Sequence, residues 1–540
     1  MKRADELTRK RWHALLVIFA LLIGMGFSPQ SAQAAEVVNA RDFGVTPGVT
    51  SSQTEALHAA MRYFYDRGQA GTVYLPAGTY YFDEAIRFHA NVNLVGDGMG
   101  QTVLKKMGNS VNYVVGNPIL PSNSNHLNVT ISDLTFDADR TNRAQQGMVQ
   151  VGGMNIDADV RYLTLNRVEV RDATIGLLLR RLKDSAIRNS RIDLTSGHAI
   201  AFGSESHPVG DVRNNVITNN IITNSTGGSG INLSRATYTT VTDNQIINNQ
   251  QQDDTYGGIR IPNGGEHNLV HNNTIVNYPR GIFVLTGAVN NVITDNVVRD
   301  SRIHGILIQA DNNTFSGNLI QQLDPQLNPE ALIRLAPGSQ NTIRYNYLQS
   351  RSNFNNIGIR VTGESSNNSI RDNMIETNGA LVSLEGGSNN TNVNNSHFFS
   401  ENASFQLKSR HSGKLLEVGN ASTENGANVN QWENTNCSCQ RWTLTRDNSG
   451  YFGVINVNSG KALDVYNGAT SDGANVVQWD YHGGAMQQWQ LKPNSSGYFT
   501  LINRNSGKAL DVEGKSTANG GNIVQWTFNG GANQQWEITR

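Results

Sequence analysis

The C-terminal part of the chain repeats one motif three times at a constant spacing. Each copy begins with Gly-Lys-x-Leu-(Asp/Glu)-Val and ends with Gln-x-Trp. The final residues of the copies are Trp442, Trp489 and Trp536, and successive copies are 47 residues apart. A fixed period is typical of repeated supersecondary units that bury their apolar faces against one another. Three such units predict one domain closed around a pseudo-threefold axis.

Over residues 403–540 this pattern resembles the ricin-B-type β-trefoil lectins, which also occur as carbohydrate-binding modules of secreted bacterial glycan enzymes. The resemblance implies that Trp442, Trp489 and Trp536 belong to the core. It also implies a shallow sugar pocket in each repeat, where an acid accepts hydrogen bonds from sugar hydroxyls, an aromatic ring stacks on the sugar, and an Asn-Gln pair completes the rim.

The three repeats match this pocket unequally. The third repeat supplies the full set, which is Asp511, Trp526, Asn533 and Gln534. The second supplies Asp464, Trp479 and Gln487, with Met486 in place of the asparagine. The first has Glu417 and Cys439 at these positions, so we expect one or two working pockets. Alternatively, the pockets are inactive, and Trp479 and Trp526 belong to the core.

The N-terminus has the features of a secretory signal peptide over residues 1–34. Basic residues precede the apolar run Ala14 to Phe27, and Ala32-Gln33-Ala34 follows as a cleavage site. The run is too short for a stable membrane span. We therefore expect a secreted, extracellular protein without stable membrane insertion.

Composition excludes several classes of protein. The formal net charge of −1 excludes a strongly basic nucleic-acid binder, and 540 residues indicate at least two domains. Cys437 and Cys439 are the only cysteines. A bridge across one intervening residue would be strained, so we interpret both as packing residues. We expect a monomer whose partner is a glycan or polysaccharide, with no nucleic acid.

Between these segments an asparagine recurs every 22 to 29 residues, each time before a short apolar strand. The recurring residues are Asn220, Asn244, Asn273, Asn296, Asn318, Asn346, Asn373 and Asn395. About 22 residues suffice for three short strands and three turns. Asparagine tolerates left-handed bends and can hydrogen-bond along a stack. We therefore predict a solenoid of stacked coils.

The strands in these coils alternate between apolar and other residues, as Gly258-Ile259-Arg260-Ile261 and Gly358-Ile359-Arg360-Val361 illustrate. Isoleucine and valine are expected to point inward, and the residues between them to form a flat outer wall. The predicted fold class is all-β, with a parallel β-helix over residues 36–400 followed by a β-trefoil.

The start of this region resembles the opening of pectate-lyase-superfamily β-helices, through Asn39 to Val45, the segment Thr54 to Tyr65, and Gly71 to Tyr80. The resemblance implies right-handed coils and activity on polysaccharides. Ala56, Leu57, Ala60, Met61 and Phe64 fall at helical spacing, which predicts a capping helix near residues 52–66.

Gly71 to Tyr80, Val95 to Val103 and Asp133 to Asp137 also resemble the catalytic module of mannuronan C5-epimerases and related alginate lyases. Where that group has Asp-Pro-His-Glu after a glycine, this chain has Gly176-Leu177-Leu178-Leu179-Arg180-Arg181. The family's catalytic residues therefore do not transfer. A weaker resemblance links the stretch Gly197 to Ser204 to polygalacturonases, whose paired aspartates are not evident before His198.

The outer wall supplies the remaining catalytic candidates. Arg180, Arg260, Arg334 and Arg360 occupy outward positions, and guanidinium groups bind carboxylates bidentately. A lyase or C5-epimerase acting on a uronate polymer would need such a clamp and a base. We predict Arg180 or Arg260 as the clamp and His198 or Tyr256 as the base. Alternatively, the arginines are solvated and the histidine is a turn residue.

Two other functions remain open. A hydrolase would need two carboxylates about 5 to 9 Å apart, and the available acids are Asp137, Asp139, Glu205, Asp253 and Asp254. The same acids could hold calcium, although no EF-hand is present. No other cofactor is predicted. A non-catalytic adhesin would use both domains to bind glycan.

Overall fold

The computed structural model describes residues 36–108, 112–143, 151–203, 206–249, 254–397, 403–446 and 450–539. The predicted signal peptide lies outside these ranges. Within them, no helix is both long enough and apolar enough to cross a membrane.

One face of the solenoid is a parallel sheet of eleven strands within the described ranges, here called the front sheet. Its strands are Tyr113–Val115, Gly152–Ile156, Ile175–Leu179, Ile200–Phe202, Ile231–Leu233, Gly257–Ile261, Arg280–Val284, His304–Ile308, Ala331–Leu335, Ile357–Val361 and Val382–Leu384.

The other faces form a second, larger sheet, whose pairings are also parallel. Its strands are Glu36–Asn39, Gly71–Tyr74, Gly78–Phe82, Val92–Val95, Thr102–Lys106, His126–Asp137, Val160–Ala173, Leu182–Lys183, Ala186–Arg188, Arg191–Thr195, Val212–Arg213, Val216–Thr218, Ile221–Ser225, Ala236–Thr237, Thr240–Thr242, Gln245–Ile247, Leu269–His271, Thr274–Val276, Val292–Thr294, Val297–Arg299, Thr314–Ser316, Leu319–Gln322, Thr342–Arg344, Tyr347–Ser350, Ser369–Arg371, Met374–Glu376, Thr391–Val393 and Ser396–His397.

A regular coil contributes one strand to the front sheet and two to the larger sheet. Parallel register places equivalent residues of successive coils side by side, as with Ile259, Ile282 and Ile306. All three are fully buried in the core between the sheets. The chain is therefore a parallel β-helix, as the alternating pattern predicted.

The predicted asparagine ladder is present and continuous. From Asn220 to Asn395, each side-chain amide donates to the side-chain oxygen of the next asparagine, at 2.7 to 3.0 Å. The sequence analysis missed a second ladder at the preceding corner of the coil. Its members are Asn268, Asn291, Asn313, Asn341, Asn368 and Asn390.

An α-helix at Thr54–Tyr65 covers the first coil, which confirms the predicted cap. It buries Leu57, Ala60, Met61 and Phe64. Among the described residues of the β-helix there are two shorter helices, a 3-10 helix at Ala40–Phe43 and one helical turn at Arg140–Arg143.

The C-terminal strands pair antiparallel and form a separate sheet. They are Gln406–Ser409, Leu415–Val418, Val429–Trp432, Trp442–Arg446, Phe452–Asn456, Ala462–Val465, Ala474–Trp479, Gln488–Pro493, Phe499–Asn503, Ala509–Val512, Gly521–Trp526 and Trp536–Thr539. The 3-10 helices between them are Gly419–Ala421, Ser438–Gln440, Tyr466–Gly468, Ala485–Gln487, Glu513–Lys515 and Ala532–Gln534.

The three repeat tryptophans form the centre of this domain, as predicted. Trp442, Trp489 and Trp536 are fully buried. Each indole N–H donates to a leucine carbonyl 26 residues earlier, at 3.0 to 3.3 Å, which satisfies the one polar group of each ring.

The trefoil packs against the larger sheet of the β-helix. Val297, Leu319 and Tyr347 belong to the same apolar cluster as the trefoil tryptophans. At the rim, Arg446 lies 3.0 Å from Glu376, and the Ser495 N–H donates to Asp295 at 2.7 Å. The front sheet takes no part in these contacts.

The expectation for the cysteines was wrong. Cys437 and Cys439 form a disulfide, with their Cα atoms 5.1 Å apart. The 3-10 turn at Ser438–Gln440 brings the two residues to a distance at which disulfides ordinarily form.

Candidate functional site

The front sheet presents a column of outward residues that includes three of the predicted arginines. Parallel register aligns Arg260, Phe283, Leu307, Arg334 and Arg360 on successive coils. Phe283 is only 6% exposed despite its outward position. It is covered because the Arg260 guanidinium lies 5.8 Å from its ring centre, and a second arginine also lies over it.

Three of the predicted catalytic residues meet on this sheet. The rings of His198 and Tyr256 are in edge-to-face contact, with their centres 5.1 Å apart. The Arg260 guanidinium lies 5.6 Å from the centre of the Tyr256 ring. His198 and Tyr256 meet across the intervening coil because that coil offers only the small Gly228 and Ser229 between them.

The hydrogen bonding of His198 determines what this side chain can do. Its Nδ1 accepts a hydrogen bond from the Ser229 backbone N–H at 2.8 Å. Burial, with a further contribution from Arg260, lowers the pKa of His198 to about 4. The ring is therefore neutral near pH 7, with its proton on Nε2. This tautomer makes His198 a hydrogen-bond donor and leaves Tyr256 as the better-placed base.

Two acceptors beside this cluster are unused. Asn232 precedes Arg260 by one coil in the outward column. In the described part of the chain, the buried Asn232 Oδ1 and Ser229 Oγ have no hydrogen-bond partner. Buried polar atoms are normally paired with protein, water or ligand, so these atoms mark a polar position next to Arg260.

Arg180 is not part of the cluster. Its coil is three coils before that of Arg260, which corresponds to roughly 14 Å along the axis. Its Nη1 donates to Asn155 Oδ1 at 2.8 Å and lies 3.9 Å from Asp157. Of the two clamps predicted, only Arg260 adjoins a candidate base.

The last two arginines of the wall are committed to ion pairs. Glu330 accepts from both Arg334 and Arg360, and Arg360 also donates to Glu385 at 3.0 Å. Arg334 and Arg360 are therefore ion-paired, whereas the alternative expectation was that the outward arginines are solvated.

Of the predicted acids, the three that the structure describes, Asp137, Asp139 and Asp254, do not form a hydrolase pair on the front sheet. Asp137 ends a strand of the larger sheet and pairs with Arg171, and Asp139 lies just beyond that strand and pairs with Lys105. Asp254 accepts from Arg302 at 2.7 Å. Glu205 and Asp253 lie outside the described residues.

Asp137, Asp139 and Asp172 could offer oxygen ligands to a cation, since one atom of each lies within 4.8 Å of the others. All three carboxylates already accept hydrogen bonds or ion pairs from the protein. The three carboxylates suit a hard cation such as calcium, but their contacts with the protein also explain why they lie close together without one.

In the trefoil, three of the residues predicted for the third pocket, Asp511, Asn533 and Gln534, are linked by hydrogen bonds. Asn533 and Gln534 both donate to Asp511 Oδ2 at 2.9 Å, so the other carboxylate oxygen can still accept from a ligand. Burial raises the pKa of Asp511. Within the described ranges, the buried Asn533 Oδ1 lacks a partner. The pocket thus offers a ligand two acceptors, which are the Asp511 carboxylate, held in place by its hydrogen bonds, and the unpartnered Asn533 Oδ1.

The pocket tryptophans are not core residues. Trp526 is 43% and Trp479 37% exposed. Trp526 packs on Gly473 of the preceding repeat, where a Cβ atom would lie 3.6 Å from its ring and where φ is +79°. The rest of each ring is available for stacking, which argues against inactive pockets filled by these side chains.

Gln487 and Gln534 have a different role from the one predicted. Both are fully buried, so they cannot line a sugar site. Gln534 donates to Asp511 and accepts from the Asn529 N–H at 2.9 Å. Each glutamine therefore positions the pocket carboxylate and the rim loop.

The second pocket has two residues that the sequence analysis missed. Its lining includes Asp464, Trp479, Tyr466 and His482, with Met486 at the base. The rings of Tyr466 and Trp479 lie 6.4 Å apart at an angle of 51°. The 47-residue spacing aligns Tyr466 with Glu513 of the third repeat. This difference between the two repeats is visible in the sequence and could have identified Tyr466.

The first repeat lacks the amide of the third. Glu417 still accepts from Gln440 at 2.7 Å, but the residue equivalent to Asn533 is the disulfide-bonded Cys439. This agrees with the expectation that the first repeat departs furthest.

Comparisons with known proteins agree with both folds. Residues 37–260 match a family described as rhamnogalacturonase A/epimerase, pectate lyase-like. Residues 394–479 and 485–540 match the ricin-type beta-trefoil lectin domain-like family. Residues 253–436 match the family of the periplasmic copper-binding protein NosD.

Relatives of the β-helix include alginate-modifying enzymes of Azotobacter vinelandii. Mannuronan C5-epimerase AlgE1 is 28% identical over 227 residues, which cover 37% of this chain and 16% of AlgE1. AlgE4 is 32% identical over 178 residues, which cover 29% of this chain and 31% of AlgE4. The chain thus spans less than a third of either relative.

The solved A-module of AlgE4 has the same fold as the β-helix. It aligns with a TM-score of 0.51 and 18% identity, covering 66% of this chain and 100% of the module. Together, these matches define a pectate-lyase-like parallel β-helix joined to a ricin-type β-trefoil lectin domain. The β-helix is homologous to the mannuronan C5-epimerases.

Proposed function

We propose that this chain is a secreted enzyme that acts on a uronate-containing polysaccharide, as a lyase or a C5-epimerase, and that its trefoil holds it on glycan. The observation that carries the proposal is the contact of Arg260, Tyr256 and His198 on the front sheet. The homology to mannuronan C5-epimerases supports the same substrate class.

Both reactions begin by removing the proton on C5 of the uronate. Arg260 pairs with the C5 carboxylate and stabilises the negative charge that develops there. Tyr256 serves as the base that accepts the proton. His198 donates a hydrogen bond from Nε2 to an oxygen of the substrate. The Asn232 Oδ1 and Ser229 Oγ atoms, which lack a hydrogen-bond partner within the described residues, suit sugar hydroxyls.

The two reactions differ in the second step. In the lyase, the electron pair left at C5 forms a C4–C5 double bond, the C4–O bond breaks, and the departing oxygen takes a proton. In the epimerase, a proton returns to C5 from the opposite face and no bond of the chain is broken.

The trefoil is the proposed carbohydrate-binding module, with the third pocket as its principal site. Asp511 and Asn533 would bind hydroxyl groups, and the exposed face of Trp526 would stack on the sugar ring. Attachment to the polymer raises the local concentration of substrate at the front sheet.

Assays on pectate, alginate, xylan and glucans test the enzymatic proposal. Ultraviolet absorbance from unsaturated uronates indicates a lyase, and proton NMR of the polymer detects an epimerase. We expect Arg260→Gln to lower kcat/KM by about 100-fold or more. The matched control is Arg188→Gln, an exposed arginine on the larger sheet, which should retain full activity. Equal activity of both variants would contradict the role of Arg260.

A non-catalytic glycan-binding adhesin is the second candidate. It is favoured by the segment Leu177 to Leu179, which has no acid or histidine where the related epimerases have their catalytic motif. This alternative predicts glycan retention without any turnover. Reducing ends without unsaturated product would instead indicate a hydrolase.

A further inference from the structure

A large cleft lies between the two domains. It measures about 1090 Å³, including the part open to solvent, which reaches the upper end of the volumes of about 300 to 1,000 Å³ typical of ligand sites. We call it the junction cleft. The β-helix contributes Asp243, His271 and Asp295, all at one corner of successive coils.

The trefoil wall of the cleft presents an aromatic ring and polar groups. Phe528 is 42% exposed, and the Lys492 ammonium lies 5.8 Å from the centre of its ring. Lys492 donates to Asn272 Oδ1 at 2.6 Å, across the domain boundary. An exposed aromatic face beside amides, hydroxyls and carboxylates is the arrangement that binds a sugar ring and its hydroxyl groups.

The junction cleft and the third pocket share one loop of the trefoil. Asn529 lines the cleft and stands at the repeat position of His482, which lines the second pocket. The Asn529 N–H donates to Gln534, which donates in turn to Asp511. One short loop, from Trp526 to Gly530, therefore forms the rim of the third pocket and one wall of the cleft.

The charges in the cleft balance. Asp243 and Asp295 face Lys492 and Arg410, and burial lowers the pKa of Lys492 while both aspartates oppose that shift. His271 lies 3.3 Å from Asp295, which also accepts from Ser495. Because cations and anions are matched, the cleft favours an uncharged sugar over a uronate.

We propose that the junction cleft is a second carbohydrate subsite, which binds the neutral units that follow the sugar in the third pocket. The proposal rests on the proposed lectin function. With this subsite, affinity at the third pocket depends on the length of the sugar, because only an oligosaccharide is long enough to contact Phe528 and the β-helix corner together.

The test compares sugars of increasing length with the full-length protein. The probes are galacto-, gluco-, manno- and xylo-oligosaccharides of one to six units, and the readout is the Kd at each length. Phe528→Ala should weaken binding of the longest ligand about tenfold and leave the monosaccharide unchanged. Ser496→Tyr, at an exposed position on the cleft, should block the long ligand in the same way.

Tyr481→Ala is the matched control, because Tyr481 is the equivalent of Phe528 in the second repeat and is similarly exposed. It should change neither affinity. If Asp511→Ala abolishes binding but Phe528→Ala retains the wild-type dependence on length, the cleft is not a subsite and the third pocket stands. If no probe binds the wild-type protein, the lectin function and the cleft proposal both fail.

Discussion

Replacement of Asn220 by alanine tests the physical basis of the β-helix. The Asn220 side chain is 1% exposed. It accepts from the Ser190 N–H at 2.9 Å and donates to the Ile187 carbonyl at 2.9 Å and to Asn244 at 2.9 Å. In the alanine variant, Ser190 loses its acceptor and Ile187 loses its side-chain donor.

The expected cost follows from these two backbone groups. A buried group left without its partner costs about 1 to 3 kcal/mol, so the free energy of unfolding should fall by about 2 to 6 kcal/mol. Asn244 adds little, because its side-chain oxygen still accepts from the Asn220 N–H at 3.0 Å.

Far-ultraviolet circular dichroism in urea measures this change. Tryptophan fluorescence reports the trefoil separately, since every tryptophan of the chain except Trp12 lies there. Asn395→Ala is the control at the last position of the ladder, where the side chain is half-buried and water can replace its bonds. It should cost less than about 1 kcal/mol. Equal losses in both variants would refute the argument that burial gives the ladder its strength.

Three further predictions concern other parts of the chain. Tyr256→Phe removes the proposed base, so turnover on a polyuronate should fall at least about 100-fold while retention on glycan is unchanged; normal turnover would exclude it as the base. His304 is 2% exposed and burial lowers its pKa to about 4. Since the unfolded state takes up this proton first, the contribution of His304 to stability should be lost as pH drops from about 6.5 to 4, by up to about 1.4 kcal/mol per pH unit. His304→Gln should reduce that slope, and an unchanged slope would contradict the assignment. Reduction of the Cys437–Cys439 disulfide should cost less than about 2 kcal/mol because the loop is so short; unfolding of the trefoil on reduction would contradict this.

Much of the fold could be predicted because its determinants are local. The alternation around Ile259 and the spacing of the Asn220 ladder define strands and corners without knowledge of distant contacts. The second ladder, which includes Asn268 and Asn291, escaped notice because its members precede the first series by only five residues.

The proposed catalytic cluster was only partly predictable. Insertions between coils vary in length, so the sequence does not show that His198 and Tyr256 meet while Arg180 lies apart. The Ser229 N–H that occupies His198 Nδ1 is a backbone contact across coils, and no residue pattern encodes it.

The residues of the trefoil pockets were easier to predict from the sequence, because the 47-residue repeat aligns equivalent positions directly. The sequence did not show which motif residues are buried. Gln534 belongs to the motif but lies beneath the surface, so it does not line the pocket. The disulfide was missed because its formation depends on the local turn at Ser438–Gln440.

Exchange of the C5 hydrogen with solvent tests the central claim most directly, because elimination and epimerisation both remove that proton. A polyuronate treated with the protein in D₂O should lose its C5–H signal in proton NMR. In epimerised units deuterium replaces this hydrogen, and in unsaturated units the hydrogen is missing. Arg260→Gln should slow this change about 100-fold or more. Retention of every C5–H on polymers that the trefoil binds would contradict the account.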